Sequence, residues 1–157
     1  MKRSIFSSIF TVIALLSLAV NASAADSISL GARAGASLGP TGYYTEAFGD
    51  LHLNRFLSIG ATVGYMAIDI DNKHIFKRDE SLPITALFKL YAPTPIVKPY
   101  VGLGQALIFH DNRGTKGSVV GLVGANFPIG PIFINAEYRR QFDDRLDFLG
   151  GGVGISF

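Results

Sequence analysis

The chain lacks cysteine and tryptophan, and it contains only two methionines among 157 residues. Without cysteine no disulfide cross-links the chain, and no lipid anchor can be attached through a cysteine behind the N-terminal segment. After Val20 no continuous apolar run approaches the roughly 20 residues that a membrane-spanning helix requires. We therefore exclude inner-membrane helices for the remainder of the chain.

The N-terminal segment has the three parts of a secretory signal peptide. Lys2 and Arg3 form a basic region, an apolar region covers residues 9–20, and Ala22-Ser23-Ala24 offers small residues for cleavage. We expect residues 1–24 to be removed and residues 25–157 to form the mature domain, with cleavage after Ala22 as the open alternative. Export would place the mature chain outside the cytoplasm.

The mature chain has no excess of either charge. Loss of Lys2 and Arg3 lowers the basic residues from 14 to 12, which equals the 12 acidic residues. Nucleic-acid binding requires a concentrated basic face, so we expect no nucleic-acid partner.

The clearest strand pattern in the sequence lies in the C-terminal segment from Leu146 to Phe157. Phe157, Ile155 and Val153 alternate with Ser and Gly, so one face of a strand is apolar and the other is nearly bare backbone. An edge strand this apolar invites aggregation in water, whereas lipid accepts it in a closed barrel. We expect this face to contact lipid.

Seven further segments show the same period of two. In the first, apolar residues from Ile28 to Leu38 alternate with small or polar residues and with Arg33. Gln105 interrupts the apolar face of the fifth segment, between Val101, Leu103, Leu107 and Phe109. The sixth segment is apolar on both sides, and its faces stay unassigned. The expected strands cover about residues 27–38, 44–54, 57–67, 82–91, 100–109, 118–127, 132–141 and 146–157.

Eight strands of about 9 to 11 residues suit a tilted crossing of a bilayer. The sequence therefore predicts an all-β fold, an eight-stranded antiparallel up-and-down transmembrane β-barrel behind a cleavable signal peptide. An even number of strands places both ends in the periplasm. The expected outer loops are residues 39–44, 69–80, 110–117 and 141–145, and the short inner turns are 54–56, 92–98 and 128–131.

The faces opposite the apolar ones carry mainly small residues and a few charges, as a narrow barrel interior requires. A soluble barrel would need a broadly polar exterior instead, so we reject that alternative. Arg33 is expected to pair chiefly with Asp50 or Glu46, and bulky Phe48, Met66, Leu87 and Tyr91 are expected to plug the lumen. The expected lumen charge network comprises Arg33, Glu46, Asp50, Lys89, Glu137 and Arg139.

Three motifs resemble the small outer-membrane barrel superfamily that includes the OmpA transmembrane domain, OmpX and the opacity-type surface proteins. They are Lys98-Pro99-Tyr100-Val101-Gly102-Leu103-Gly104, Asn135-Ala136-Glu137-Tyr138-Arg139, and the last strand ending in Phe157. The resemblance implies an outer-membrane protein whose last strand, with Phe157, Ile155 and Val153, is the insertion signal read by the barrel-assembly machinery. It leaves the role open, because these barrels share a fold and differ in function.

Enzymes that modify lipid A are the main alternative among eight-stranded barrels. The deacylase type resembles a hydrolase with a His-x-Ser pair, but His52, His74 and His110 are followed two positions later by Asn54, Phe76 and Asn112. The palmitoyltransferase type carries a helix before its barrel, and only a few residues separate the cleavage site from the first strand. We therefore expect no catalytic residues.

The remaining features predict no cofactor and no metal site, because the three histidines fall in different segments without a convergent ligand set. Lys73, Lys77 and Arg78 form a basic loop surface that meets lipopolysaccharide phosphates or is merely solvated. The sequence thus predicts a monomeric envelope protein with a structural or surface-interaction role and with outer-membrane lipid as its surroundings. An adhesin that binds host molecules through its loops stays as an alternative.

Overall fold

The computed structural model describes residues 28–72, 75–92, 94–110 and 114–157. These residues form eight antiparallel strands in one sheet, and each strand pairs with its neighbours in the sequence. The strands are β1 (Ile28–Ser37), β2 (Gly42–Asn54), β3 (Leu57–Asn72), β4 (Ile75–Tyr91), β5 (Lys98–His110), β6 (Gly114–Ile129), β7 (Ile132–Gln141) and β8 (Leu146–Ser156).

The sheet closes through the pairing of the first and last strands. Ser29 stands opposite Ser156, and the register continues to Ser37 opposite Phe148. Beyond β8, the amide of Phe157 donates a 2.9 Å hydrogen bond to the carbonyl of Ile28. The predicted eight-stranded up-and-down barrel is confirmed. The signal peptide and its cleavage positions lie outside the described residues.

The alternation read from the sequence determines which side chains enter the barrel. Along β1, apolar Leu30 is 49% exposed whereas Arg33 is 3% exposed. The same alternation resolves the two faces of β6. Ser118, Val120 and Leu122 are buried inside, and Val119 and Val123 lie on the outer wall.

The expected loop at residues 69–80 is wrong. β3 continues to Asn72 and β4 begins at Ile75, and the two form a hairpin in which Asp69 stands opposite Arg78. β2 pairs with β3 only as far as Ile68, and β5 pairs with β4 only as far as Ser81. This hairpin therefore extends past its neighbours, and the sequence of this extension lacks the apolar-polar alternation by which the other strands were predicted.

The other predicted connections are also shorter than expected. β2 already begins at Gly42 and β6 at Gly114, so the loops expected at 39–44 and 110–117 are shorter than predicted. The turn after β7 occupies residues 142–145, one residue fewer than the expected 141–145. At the opposite end, turns of two residues join β2 to β3 and β6 to β7, and residues 92–97 join β4 to β5.

Candidate functional site

The barrel interior collects the charged side chains that the sequence assigned to it. All six expected network residues are at most 5% exposed, although they come from β1, β2, β4 and β7. Charges removed from water are stable only when they are paired and hydrogen-bonded. The pairing among these six side chains therefore determines whether the charged interior is stable.

Four of the six form one cluster in which two arginines share two glutamates. Arg139 binds Glu46 through two hydrogen bonds, from Nη1 to Oε2 at 2.9 Å and from Nη2 to Oε1 at 2.7 Å. Its Nη2 also donates to Glu137 Oε1 at 2.9 Å. Arg33 forms ion pairs with both Glu46 and Glu137. The bidentate Arg139–Glu46 contact is the geometry in which a guanidinium binds a carboxylate most strongly.

The remaining two charges form a separate pair. Lys89 Nζ donates a hydrogen bond of 2.8 Å to Asp50 Oδ2. Of the two partners expected for Arg33, the structure thus brings Glu46 to it and gives Asp50 to Lys89. The Phe48 ring lies between the two groups, with Arg33 Cζ 4.8 Å and Lys89 Nζ 5.7 Å from its centroid, so both cations also contact an aromatic face.

Sequence reasoning missed the neutral polar residues that extend this cluster. Tyr100 donates from its hydroxyl to Glu137 Oε2 at 2.7 Å, and Asn135 Nδ2 donates to Tyr100 Oη at 2.8 Å. Asn135 Nδ2 also reaches Asn126 Oδ1 at 2.7 Å. The inward register of Asn135 was visible in the sequence. The contact of Tyr100 on β5 with Glu137 on β7 depends on the stagger of the strands around the barrel, and alternation alone does not encode this stagger.

Apolar side chains occupy the interior on both sides of the charged cluster. On the side of the β3–β4 hairpin, seven buried residues pack together: Tyr44, Met66, Ile68, Ala106, Ile108, Val120 and Phe148. On the other side, Leu87, Tyr91, Tyr100 and Leu122 form a second cluster. Phe48, Met66, Leu87 and Tyr91, the four bulky residues assigned to the lumen, are all at most 7% exposed.

A polar contact across the β1–β8 closure was also missed. Ser29 Oγ lies 2.9 Å from His52 Nε2 on β2 and 2.9 Å from Ser156 Oγ on β8. The pair joins residues on two different strands, so a search for His-x-Ser within one strand does not find it. Ser29 is 2% exposed and its contacts join β1 to β2 and β8. These contacts stabilise the barrel where its first and last strands meet.

The outer wall is apolar. The three residues of the expected insertion signal lie on it, with Val153 and Phe157 both 59% exposed and Ile155 41% exposed. Charged residues on this wall occur near the β7–β8 turn, where Arg140 Nη1 lies 3.5 Å from Asp147 Oδ1. Tyr138 donates its hydroxyl to the same carboxylate oxygen at 2.7 Å. An apolar exterior around an interior that holds ion pairs is the reverse of a soluble barrel.

The β7–β8 turn folds onto the adjacent end of β6. The Val119 amide donates to Asp143 Oδ2 at 2.8 Å, and the Phe142 amide donates to the Val119 carbonyl at 3.0 Å. The first of these bonds lowers the pKa of the Asp143 carboxyl, because it stabilises the ionised form. Lys116 adds an ion pair to Asp144.

The expected basic loop surface of Lys73, Lys77 and Arg78 stays a prediction. Lys77 and Arg78 belong to β4, and Lys73 lies outside the described residues. Within the described ranges no group of three or more metal-binding side chains occurs. Among these residues there is no helix that is long and apolar enough to span a membrane.

No family model matches the sequence, and no curated protein matches it. Several solved structures do match its fold. Neisserial surface protein A is 19% identical, with a TM-score of 0.63 over 86% of this chain and 100% of its own. The N-terminal β-barrel domain of Pseudomonas aeruginosa OprF is 17% identical, with a TM-score of 0.56 over 85% of this chain and 98% of its own.

The outer-membrane protein Ail of Yersinia pestis, solved in a phospholipid bilayer nanodisc, is 16% identical with a TM-score of 0.53 over 82% of this chain and 99% of its own. At such identities the likeness shows a shared fold. The fold is that of the small eight-stranded outer-membrane β-barrels.

Proposed function

We propose that the chain is a bacterial outer-membrane protein with a structural or surface-interaction role, exported by a signal peptide in residues 1–24 and anchored by residues 25–157. The observation that carries this proposal is the apolar outer wall around a charged interior. Lipid stabilises such a wall, whereas water would not. The similarity in fold to known outer-membrane barrels supports the same location.

Assembly in this location proceeds through the last strand. Val153, Ile155 and Phe157 present their side chains on one exposed face and offer an aromatic end to the barrel-assembly machinery. The lipid around the barrel includes lipopolysaccharide, whose phosphates meet the basic side chains of the hairpins and turns at the outer end. Lys73, Lys77 and Arg78 are the residues proposed for this contact.

Membrane fractionation with gel mobility tests the location. The protein should be recovered with the outer membrane, and the folded barrel should migrate differently on SDS gels before and after boiling. Recovery in the soluble periplasmic fraction with a single mobility would exclude a membrane barrel.

The interior is proposed to be closed to ions. Two apolar clusters and the ionic cluster between them fill the lumen, and eight strands leave room for little more than side chains. Purified protein in planar bilayers should therefore show no large, stable conductance steps. Regular steps of constant size from the monomer would overturn the closed state.

The proposed role is non-catalytic. Among the described residues, the arrangement that favours an enzyme is the 2.9 Å contact between Ser29 Oγ and His52 Nε2, because a serine beside a histidine is the start of a hydrolase site. Ser29 is enclosed, so the folded protein should not be labelled by a fluorophosphonate probe. Labelling that disappears in Ser29→Ala, or a change in lipid A mass when the gene is deleted, would favour the enzyme instead.

A further inference from the structure

A cavity of about 400 Å³ opens at the end of the lumen that carries the β3–β4 hairpin and the β7–β8 turn. Met66, Ile68 and Leu146 form its floor, and Pro40 of the β1–β2 connection lies at its rim. We call it the mouth cavity. Six polar or charged residues complete its lining: Asp79, Ser81, His110, Thr115, Lys116 and Asp144.

The polar lining comes from three strands and one turn that meet at this end of the barrel. Ser81 of β4 stands opposite His110 of β5, and Ile108 of β5 stands opposite Lys116 of β6. Asp144 reaches the cavity from the β7–β8 turn and forms an ion pair with Lys116. A concave site of this volume, with an apolar floor and a few polar groups, has the form of a small-molecule binding site.

The floor of the mouth cavity is a packed apolar surface. Met66 and Ile68 are 3% and 7% exposed, and they belong to the same cluster of buried residues as Val120 and Phe148. Leu146 packs against this cluster from β8. A ligand in the cavity therefore meets a preformed apolar surface that separates it from the charged cluster below.

The charges of the lining favour a cation. The lining holds two carboxylates, Asp79 and Asp144, against the single ammonium of Lys116. His110 Nδ1 lies 3.2 Å from Asp79 Oδ2, and a neutral imidazole leaves the charge of that carboxylate in place. The carboxylates also lie deeper, since the side chains of Asp79 and Asp144 are 14% and 24% exposed whereas that of Lys116 is 47% exposed. Walls of low dielectric concentrate the field of such charges, so the cavity attracts a positive group and repels a negative one.

We propose that the mouth cavity binds a small organic cation that carries one ammonium group on a short apolar body. The ammonium lies beside the carboxylates of the lining, with Asp79 as the deeper one, and donates charge-assisted hydrogen bonds to them. The apolar body packs on Met66 and Ile68, and the flexible thioether of Met66 adapts to rings and chains. The inference goes beyond the proposed envelope role and depends only on the barrel fold.

Titration of the protein in phosphatidylcholine nanodiscs with three probes that share one apolar body tests the charge preference. The probes are phenylethylamine, phenylethanol and phenylpropionate, which at neutral pH are a cation, an uncharged alcohol and an anion. NMR follows the amides of Ile68 and Leu146 at the cavity and of Leu122 in the other apolar cluster. The amine should shift Ile68 and Leu146 to saturation, should bind about tenfold more tightly than the other two probes, and should leave Leu122 unchanged.

Three single variants separate the charge of the cavity from general effects. Asp79→Asn should weaken binding of the amine about tenfold, because a charge-assisted hydrogen bond is lost. Lys116→Gln should tighten it severalfold, because the lining loses its positive charge. Asp147→Asn is the matched control, since this carboxylate lies on the outer wall near the same turn and does not line the cavity, and it should leave the affinity unchanged. Gel mobility before and after boiling confirms that each variant is folded.

Equal saturation by all three probes, or tighter binding of the anion, would overturn the preference for a cation. Shifts that rise linearly with the concentration of the amine would show partition into lipid and would exclude the site. Amine affinity that is unchanged in both Asp79→Asn and Lys116→Gln would place the bound amine elsewhere and would also overturn the proposal. If Asp79→Asn does not fold, Lys116→Gln decides, because this half-exposed lysine lies at the solvent edge of the cavity.

Discussion

Lys89 of β4 reaches across β3 to bind Asp50 of β2, with 2.8 Å between Nζ and Oδ2. Gly60 lies on the intervening strand and makes room for the contact, since a Cβ at that position would stand 2.1 Å from Asp50 Oδ1. Among the described residues, Asp50 Oδ1 has no hydrogen-bond partner. The carboxylate thus depends on one lysine for its neutralisation.

Lys89→Met should destabilise the folded barrel by about 3–5 kcal/mol, because it leaves the buried Asp50 carboxylate without its partner. Urea titration of the protein refolded in lipid vesicles measures the free energy of unfolding. The double variant Lys89→Met, Asp50→Leu removes both charges and should recover most of the loss. If the single variant is as stable as the original, water reaches Asp50 and the pair is not buried.

Arg33→Ala should also cost about 3–5 kcal/mol, because Glu46 and Glu137 would then share the single positive charge of Arg139. Arg140→Ala is the matched control. Its guanidinium side chain is 45% exposed and lies 3.5 Å from Asp147, and such exposed pairs contribute at most about 1 kcal/mol. The same urea titration compares the two variants. Equal losses in the free energy of unfolding would mean that the buried ion pairs of Arg33 contribute no more to stability than the exposed pair of Arg140.

Two adjacent glycines of β8 should differ in their tolerance of an added methyl group. At Gly152 a Cβ would lie 2.2 Å from the Ala32 carbonyl oxygen and 2.5 Å from Arg33 Cβ, so Gly152→Ala forces the backbone apart and should cost about 1–3 kcal/mol. At Gly151 the nearest atom is the Asn135 carbonyl oxygen at 3.5 Å, an ordinary contact on the outer wall.

Gly151→Ala should therefore change the free energy of unfolding by less than about 0.5 kcal/mol. Both variants alter the same glycine-rich segment, which controls for strand propensity. A cost at Gly151 equal to that at Gly152 would show that the loss arises from the backbone of β8 and not from the crowded interior.

The sequence predicts the strands and their faces because an apolar outer wall on one side and packed small or polar side chains on the other impose a period of two. Leu30 and Arg33 therefore fall on opposite faces, as expected. Alternation does not predict the end of the β3–β4 hairpin, since the sequence from Asp69 to Glu80 does not alternate although Asp69 pairs with Arg78. It also does not give the partners in the lumen, because the pairing of Lys89 with Asp50 depends on the stagger between strands that are not neighbours.

The last prediction concerns acid and the β7–β8 turn. The Val119 amide lowers the pKa of Asp143 below the usual value of about 3.9, so folding strengthens as this carboxyl ionises. Its contribution is complete above the unfolded pKa and is lost as the pH falls through the lower folded pKa. At neutral pH the Val119 amide should thus be protected from hydrogen exchange.

Asp143→Ala should accelerate exchange at Val119, whereas Asp143→Asn should retain part of the protection, because the asparagine carbonyl still accepts the bond. Amide exchange followed by NMR in nanodiscs measures both. The amide of Val123, which lies farther along β6 within the barrel wall, should exchange at the same rate in all three proteins. Unchanged exchange at Val119 in Asp143→Ala would contradict protection of this amide by the carboxylate.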